Sequence, residues 1–347
     1  MKKIICFFII LFMLCLSSCS KSSKVYQKQE GIMFNYNNID KNSGVWLTND
    51  NVCYLEDMLL QSYCLVSENG KKRICSNNGY GFGKIQHYGD KIYMLDCYTY
   101  IDEQNSDYLL KYYDVEQKTV NDILTIRNCS EFLVLNGDIF YSEYYWLKDM
   151  QKKFLKMYST NSNAYSTIND SVLSFGVIGN DVYYVTEDNN NVSIFRYDKD
   201  NKNSIECGQF ALETENVEGF REFLNVSYTP QYVIFSLSGL QNNTSKIWTF
   251  TLEDKSVNQY NFNGDITTFI SYNECSYFAT YDNSQQEEIS TIYKFVNHTG
   301  ETTRMGHLPG YCGLFVGSDD GVYVTARDKN RIVYYSKENE PKTIYEF

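Results

Sequence analysis

A motif that recurs seven times along the chain constrains its fold more than any other feature of the sequence. In most copies, a turn of Asn, Gly or Asp leads into a short strand that begins with an aliphatic residue, and the sixth copy has Ser276 in the aliphatic position. The position after the aliphatic residue is occupied in turn by Cys53, Tyr93, Phe140, Tyr183, Ile234, Tyr277 and Tyr323. Successive positions lie 40, 47, 43, 51, 43 and 46 residues apart. This regular spacing of about 45 residues predicts one structural unit copied along the chain.

A second strand signal follows most copies, and a third precedes several of them. The second comprises residues 110–114, 194–198, 247–250, 292–295 and 332–335. The third is clearest at residues 132–135 and 313–316. The chain has 32 Tyr and 21 Phe but 3 Pro, and aromatic residues favour strands. Each unit is therefore expected to contain about four short antiparallel strands.

Sheets of this kind predict an all-β fold, a β-propeller with seven four-stranded blades. A lone four-stranded sheet cannot bury both faces, whereas blades packed around an axis cover one another. Six or eight blades remain possible, because the fifth copy is weak and the first is short. Residues 343–347 are predicted as an outer strand, and residues 31–36 as a spare strand that pairs with the last blade. A pair of β-sandwiches is the alternative, but it does not explain strands grouped in fours.

The repeated strands also resemble a known family. Gly-Asp-x-Ile-Tyr at 89–93, followed by Leu-Lys-Tyr-Tyr-Asp at 110–114, is similar to TolB-like and YncE-like β-propellers, above all the propeller lipoproteins of Firmicutes. The resemblance extends from about residue 40 to residue 347 and implies a fold without a transferable catalytic residue. The first copy departs from it, with Cys53 in the aromatic position.

The N-terminus has the pattern of a bacterial export signal. Lys2 and Lys3 precede an uncharged run of 13 residues at 4–16, which is too short to span a bilayer as a helix. The run ends in a segment that resembles the lipobox, formed by Leu16, Ser17, Ser18 and Cys19. This resemblance implies cleavage after Ser18 and a diacylglyceryl group on Cys19. A secretory signal with a chance cysteine and an uncleaved helix are the alternatives.

These signals divide the chain into three parts and predict where it resides. Residues 1–18 are the signal peptide, residues 19–30 form a polar tether with the lipidated Cys19, and residues 31–347 form the propeller domain. Two acyl chains suffice for stable anchoring, so we expect an extracytoplasmic lipoprotein held on the cell membrane. Its partners are then the membrane, through the diacylglyceryl anchor, and an unidentified peptide, protein or glycan.

The charge of the chain disfavours nucleic acid as a partner. The net charge is −12, and without the two lysines of the signal peptide 29 basic residues face 43 acidic ones, a net charge of −14. Such a surface repels the phosphate backbone. The acidity is spread along the chain, which favours solubility over a binding site. We expect a monomer.

The cysteines form no metal or redox motif, since the 11 in the sequence include no CxxC pair. One disulfide is conceivable. Asn69-Gly70 is a strong hairpin turn, and that register places Cys64 opposite Cys75. An exported chain permits oxidation. Two free buried thiols are the alternative.

No motif for catalysis, metal binding or cofactor binding is apparent. The three histidines are His87, His298 and His307, and none has metal-binding spacing. GxSxG and P-loop motifs are absent, and the glycine-rich segment 79–83 precedes a strand rather than a helix. The Asp- and Asn-rich segments 188–191 and 198–201 are expected to be hairpin turns. We therefore expect no cofactor, no metal and no catalytic residue, and predict that the chain is not an enzyme.

A patch of aromatic residues is the candidate binding site. Loops between the second and third strands, and between blades, share one face of a propeller, and three neighbouring stretches of them contain Tyr80, Phe82, Tyr98, Tyr100, Tyr144, Tyr145 and Trp146. Such rings stack on sugars or hold peptides; alternatively, they pack the loops. The predicted function is a ligand-binding or interaction scaffold. A glycan-active lyase or hydrolase using the central channel, or an envelope sensor or assembly factor, are the alternatives.

Overall fold

The structure is a computed structural model. It describes residues 24–25, 45–47, 53–57, 62–67, 70–76, 84–100, 106–129, 131–147, 150–188, 191–212, 224–240, 244–282, 289–317, 321–326, 331–336 and 341–346. Within these residues all regular structure is β-strand. No helix among them is long and apolar enough to cross a membrane.

The described strands form seven antiparallel sheets, numbered here in chain order. The strands of the first four sheets are β2 (Val45–Leu47), β3 (Cys53–Asp57), β4 (Ser62–Ser67) and β5 (Gly70–Ser76); β6 (Lys84–Tyr88), β7 (Lys91–Tyr100), β8 (Ser106–Asp114) and β9 (Thr119–Arg127); β10 (Phe132–Leu135), β11 (Asp138–Leu147), β12 (Met150–Ser159) and β13 (Ala164–Asn169); and β14 (Ser174–Ile178), β15 (Asp181–Asp188), β16 (Asn191–Asp198) and β17 (Asn203–Ala211).

The remaining three sheets have the same order. Their strands are β18 (Leu224–Tyr228), β19 (Tyr232–Leu240), β20 (Thr244–Thr251) and β21 (Val257–Asn263); β22 (Ile266–Tyr272), β23 (Cys275–Asp282), β24 (Ile289–Val296) and β25 (Thr302–Pro309); and β26 (Cys312–Gly317), β27 (Gly321–Ala326), β28 (Arg331–Ser336) and β29 (Lys342–Glu346). The short strand β1 (Lys24–Val25) pairs with β29 and adds a fifth strand to the seventh sheet.

The prediction of an all-β propeller is confirmed. The strand after each of the seven repeated turns is the second strand of a different sheet, and the second strand signal lies on the third. The residue at the aliphatic position, which is Ser276 in the sixth sheet, pairs directly with an aromatic residue of the third strand in sheets two to seven. These pairs are Ile92 opposite Tyr113, Ile139 opposite Tyr158, Val182 opposite Tyr197, Val233 opposite Phe250, Ser276 opposite Phe295, and Val322 opposite Tyr335.

Successive sheets pack face to face, and this packing makes the core. Leu95 and Leu110 of the second sheet meet Phe132 and Ile139 of the third in one buried cluster. Equivalent clusters join the third to the fourth, the fourth to the fifth, the fifth to the sixth and the sixth to the seventh sheet. Between the first and second sheets, the Tyr63 hydroxyl donates a hydrogen bond of 2.9 Å to the Leu95 carbonyl. Each sheet is thus covered by its neighbours in the chain.

The backbone angles of the repeated turn explain its residue types. Asn136 and Gly137, between β10 and β11, have φ of 50° and 80°, which Asn and Gly tolerate best. The fifth sheet uses another device, because the Thr229 hydroxyl accepts a hydrogen bond of 3.0 Å from the Tyr232 amide. The Asn or Gly of the other copies is thereby replaced, which explains why the fifth copy is weak in sequence.

The end of the chain agrees with the predicted outer strand, since β29 is the fourth strand of the seventh sheet. Its outer partner in the structure is β1, with Lys24 opposite Glu346 and Val25 opposite Tyr345. Residues 31–36, predicted for that role, lie outside the described residues. The tether prediction for residues 19–30 includes β1 and remains a prediction.

The buried tyrosines predict loss of stability at high pH. Burial raises the pKa of Tyr93 to about 12, and burial together with Glu274 raises the pKa of Tyr232 to about 12. Unfolded tyrosine ionises near pH 10. A raised folded pKa stabilises the fold below the unfolded value, and that contribution is lost as pH rises from about 10 towards 12. We expect the free energy of unfolding, measured in urea, to fall steeply over this range. Tyr93→Phe should flatten the fall by on the order of 1–2 kcal/mol; an equally steep fall would contradict the assignment.

Candidate functional site

One end of the sheets, called here the loop face, holds the predicted binding region. In each antiparallel sheet the second strand ends, and the third begins, at the same end at which the chain enters from the preceding sheet. On this face, and among the described residues, sheets two and three carry three largely buried ion pairs. We call the set Asp96, Lys111, Glu131, Glu143, Lys153 and Lys156 the ion-pair cluster.

The first pair of the cluster lies where the second sheet meets the first. Lys111 Nζ is 2.9 Å from an Asp96 carboxylate oxygen, and the two side chains are 7% and 8% exposed. The same ammonium donates to the Ser76 carbonyl at 3.1 Å and lies 5.4 Å from the centre of the Tyr63 ring. Both Ser76 and Tyr63 belong to the first sheet, so this lysine joins two sheets.

The second pair repeats this geometry one sheet later. Lys156 on β12 is ion-paired with Glu143 on β11. The register is the same in the two sheets. In each, the lysine lies opposite the residue that stands two positions before the acid, Met94 in the second sheet and Tyr141 in the third. Lys156 Nζ also donates to the Tyr145 hydroxyl at 3.2 Å. The Tyr145 ring packs edge-on against Phe154, with ring centres 5.1 Å apart.

The third pair lies on the opposite side of the third sheet. Lys153 on β12 is ion-paired with Glu131, which immediately precedes β10. Its ammonium donates to the Leu173 carbonyl beside the fourth sheet at 3.1 Å and lies 5.6 Å from the centre of the Tyr144 ring. Asn128 holds the backbone of Tyr144 through two hydrogen bonds of 3.2 Å. Tyr144 and Tyr145 are thus each placed beside a lysine, on opposite faces of one strand.

The carboxylates keep these lysines charged. Burial alone lowers the pKa of Lys153, but the Glu131 carboxylate outweighs it and the pKa is raised above its usual value. At Lys156, burial likewise lowers the pKa and the hydrogen bond to Glu143 raises it, and the net result is a raised pKa. Both side chains are therefore ammonium ions at neutral pH and act as donors, not as bases. Burial raises the pKa of the nearby Cys129 to about 12, so this thiol is not a nucleophile.

The other sheets show that a blade does not need these charges. At the lysine position, sheets four to seven carry Phe195, Trp248, Tyr293 and Val333. At the acid position, they carry Thr186, Leu237, Thr280 and Ala326. The fourth sheet has a buried acid of its own, Glu187, one position further on. Since burying a charge costs free energy that an apolar residue does not, the cluster is a departure from the repeat that calls for a reason other than folding.

The structure places the predicted aromatic patch in part. Tyr144 and Tyr145 lie on β11 and are half-buried beside the ion-pair cluster. Tyr98 and Tyr100 lie at the end of β7, and Trp146 on β11, but their side chains are outside the description. Tyr80 and Phe82 lie outside the described residues, as do Leu16, Ser17, Ser18 and Cys19 of the lipobox. That the aromatic side chains share one rim remains a prediction.

The hairpin that contains Cys64 and Cys75 has a different register from the expected one. Ser67 pairs with Gly70, so Gly70 belongs to strand β5 and not to the turn, and this register places Cys64 opposite Arg73. An irregularity between Cys64 and Tyr63 then places Tyr63 opposite Cys75. No disulfide joins Cys64, which is buried, to Cys75, which is half-buried. The displaced turn is the physical reason for the shifted pairing of Cys64.

Among the described residues no group of three or more His, Cys, Asp or Glu is arranged to hold a metal ion. The turn at 198–201 is explained by backbone contacts, because an Asp198 oxygen accepts from the Asp200 and Asn201 amides at 3.0 Å each. The glycine-rich segment 79–83 lies outside the described residues.

Comparison with known proteins shows the fold. No protein-family model and no curated protein sequence matches the chain. Among solved structures, the tricorn protease is similar with a TM-score of 0.55 and 11% identity over 91% of this chain, which spans 36% of that protein. An oligogalacturonate lyase in complex with manganese is similar with a TM-score of 0.53 and 11% identity over 89% of both chains. TolB from Acinetobacter baumannii has a TM-score of 0.40 and 10% identity over 87% of this chain and 81% of its own.

These similarities correct one prediction. The absence of sequence motifs led us to predict that the chain is not an enzyme. That prediction is contradicted, because propellers of this fold occur in a protease and in a lyase. The absence of a catalytic motif was therefore not a sufficient reason for that prediction. The cluster was detectable in the aligned repeats, since Glu56, Asp96 and Glu143 each stand three positions after the repeated position.

The pairing of Asp96 with Lys111 predicts unequal effects of single and double substitutions. Lys111→Met leaves the carboxylate buried without its partner and should lower the free energy of unfolding by about 3–5 kcal/mol. Asp96→Leu together with Lys111→Met leaves these two positions uncharged, as they are in sheets four to seven. The double variant should recover at least about 2 kcal/mol of the loss in urea unfolding. A double variant no more stable than the single one would show that the charges are required by the fold itself.

Proposed function

We propose that this chain is an exported, lipid-anchored propeller that binds a neutral glycan on the loop face of sheets two to four. The propeller scaffold is given by the sheets and their order. The ligand is inferred from the side chains that this face carries, and the location from the leader sequence.

One observation supports the site more than any other. The Asp96–Lys111 and Glu143–Lys156 pairs stand at register positions that carry no charge in sheets four to seven, so these pairs are confined to one sector of a repeated architecture. Polar groups that a fold does not require, set beside aromatic rings, are typical of ligand sites. Tyr144 and Tyr145 provide the rings, and each is held by a lysine of the cluster.

The charge balance favours a neutral ligand over a polyanion. The three lysines of the cluster are each paired with a carboxylate, so the cluster has no net charge. An ammonium and a carboxylate side by side offer the same hydroxyl group both a hydrogen-bond donor and an acceptor. Sugar hydroxyls both donate and accept, while the rings of Tyr144 and Tyr145 suit the apolar faces of sugars. A polyanion would instead meet the acidic charge of the whole chain.

Catalysis on the bound glycan is the second candidate. The similarity to an oligogalacturonate lyase spans 89% of both chains and supports it at the level of the fold. In that case the charged lysines would act as hydrogen-bond donors and the carboxylates of Glu131 and Glu143 as the acid-base groups. Both candidates require an exported protein, because both act on glycans outside the cytoplasm.

The anchor is proposed from the lipobox and its distance to the fold. Lys24 follows Cys19 by five positions, and Lys24 already pairs with the last strand of the seventh sheet. A diacylglyceryl group on Cys19 would therefore hold the outer edge of that sheet close to the membrane. An envelope sensor or assembly factor would share this anchor.

The glycan site predicts a loss of binding on substitution of its rings. Tyr144→Ala combined with Tyr145→Ala removes the two rings and should weaken binding to any neutral oligosaccharide identified on a glycan array at least tenfold, or about 1.4 kcal/mol. Tyr165→Ala is the matched control, because Tyr165 is 64% exposed on the outer strand of the same sheet. Affinities are compared by isothermal titration calorimetry.

Unchanged affinity in the double variant, or exclusive binding of acidic glycans, would overturn the proposed site. The same oligosaccharides are incubated with the wild-type protein and their products separated by chromatography. Cleavage that is lost in Glu143→Gln would support the second candidate over binding alone.

The anchor predicts a separate result. Cys19→Ala should abolish incorporation of radiolabelled palmitate and release the protein from the membrane fraction, since the thiol is the acylated atom. Cys15→Ala is the matched control, because Cys15 lies within the apolar run of the leader and should leave labelling unchanged. Labelling that persists in Cys19→Ala would refute the lipobox assignment.

A further inference from the structure

A cavity of about 240 Å³ lies between the sixth and seventh sheets, away from the ion-pair cluster. It opens between the outer strand β25 on one side and strands β28 and β29 on the other. Leu308 and Val333 are buried in its walls, and Pro309 and Pro341 stand at its exposed side. At about 30 Å³ per water, the space corresponds to roughly eight waters, or a ligand of similar size.

Arg331 gives the cavity its charge. Among the nine described residues that line it there is no carboxylate, and Arg331 carries the one permanent charge of these nine. The Nε atom of Arg331 is buried, and within the described part of the chain it has no hydrogen-bond partner. A buried donor without an acceptor costs about 1–3 kcal/mol, which an anionic acceptor in the cavity would recover.

The remaining polar groups of the lining are also suited to an acceptor. The Tyr335 hydroxyl donates to the His307 carbonyl at 2.9 Å, so its proton is already used. The imidazole of His307 and the hydroxyl of Thr343 remain in the lining as further donors beside Arg331. The apolar walls of the cavity would make no favourable contact with a small ion that has no apolar part.

We propose that this cavity binds a small organic carboxylate, with the carboxylate on Arg331 and an apolar or ring-shaped body between the two prolines. A planar guanidinium matches a carboxylate in geometry and charge. A phosphate dianion would need more cations than the lining offers, and its small size would leave the apolar walls uncovered. This proposal does not depend on the glycan site, which lies in other sheets.

Binding is measured by isothermal titration calorimetry on the whole mature protein, with benzoate as the probe. Benzyl alcohol serves as the neutral probe of matching shape and inorganic phosphate as the anion without an apolar body. We expect benzoate to bind with a Kd of about 1 mM or tighter, and at least tenfold more weakly to Arg331→Met. Arg304→Met is the matched control, because Arg304 is exposed on β25 and does not line the cavity.

A second variant keeps the test decisive if Arg331→Met does not fold. His307→Trp places a large ring at an exposed position of the lining, so it should block benzoate while the arginine remains. The proposal is overturned if no benzoate binding is detected at about 10 mM, some tenfold above the expected Kd. It is equally overturned if benzyl alcohol or phosphate binds as tightly as benzoate, or if neither variant weakens binding.

Discussion

The fold depends on the covering of each apolar sheet face by the next sheet. The sheets approach so closely that glycine is required at several contacts. A Cβ at Gly176 would lie 2.3 Å from the Tyr228 ring, one at Gly208 would lie 2.5 Å from Phe250, and one at Gly306 would lie 2.6 Å from Tyr335. In each case the glycine belongs to one sheet and the aromatic ring to the following one. The ring fills the space that the missing side chain leaves, so the two residues act as one packing unit.

Such interfaces are unfavourable places for charge, and this makes the ion-pair cluster informative. A buried pair recovers its desolvation cost when geometry and additional hydrogen bonds are good, and it rarely adds net stability over apolar residues. Lys111 meets that condition with a carboxylate and a carbonyl, and Lys153 does so in the same way. Each lysine also joins two sheets. The cluster is therefore expected to lower stability relative to apolar residues. It also joins neighbouring sheets and holds Tyr144 and Tyr145 at the loop face.

The repeat could be predicted from the sequence because one register is copied through the chain. An aliphatic residue after a turn pairs with an aromatic residue of the third strand, and both leave a strong pattern. Ser276 breaks the pattern yet is fully buried, since its hydroxyl bonds Asn297 at 2.6 Å and Ser271 at 2.8 Å. The pairing of Cys64 was predicted wrongly, because Gly70 pairs with Ser67 in the strand instead of forming the turn that Asn69-Gly70 favours. The cluster was missed because partners such as Asp96 and Lys111 are 15 residues apart, and their meeting depends on strand register.

In a repeated architecture, function is to be sought where neighbouring copies differ. The turns, the aliphatic-aromatic pairs and the glycine contacts serve the fold, and each recurs in more than one sheet. Lys111, Lys153 and Arg331 do not belong to this shared set, and each is a cation at a junction between two sheets. A cation at such a junction contacts both sheets, so a ligand bound to it is also linked to two blades. Ligand binding at these junctions is therefore expected to stabilise the contact between blades, in addition to filling a site.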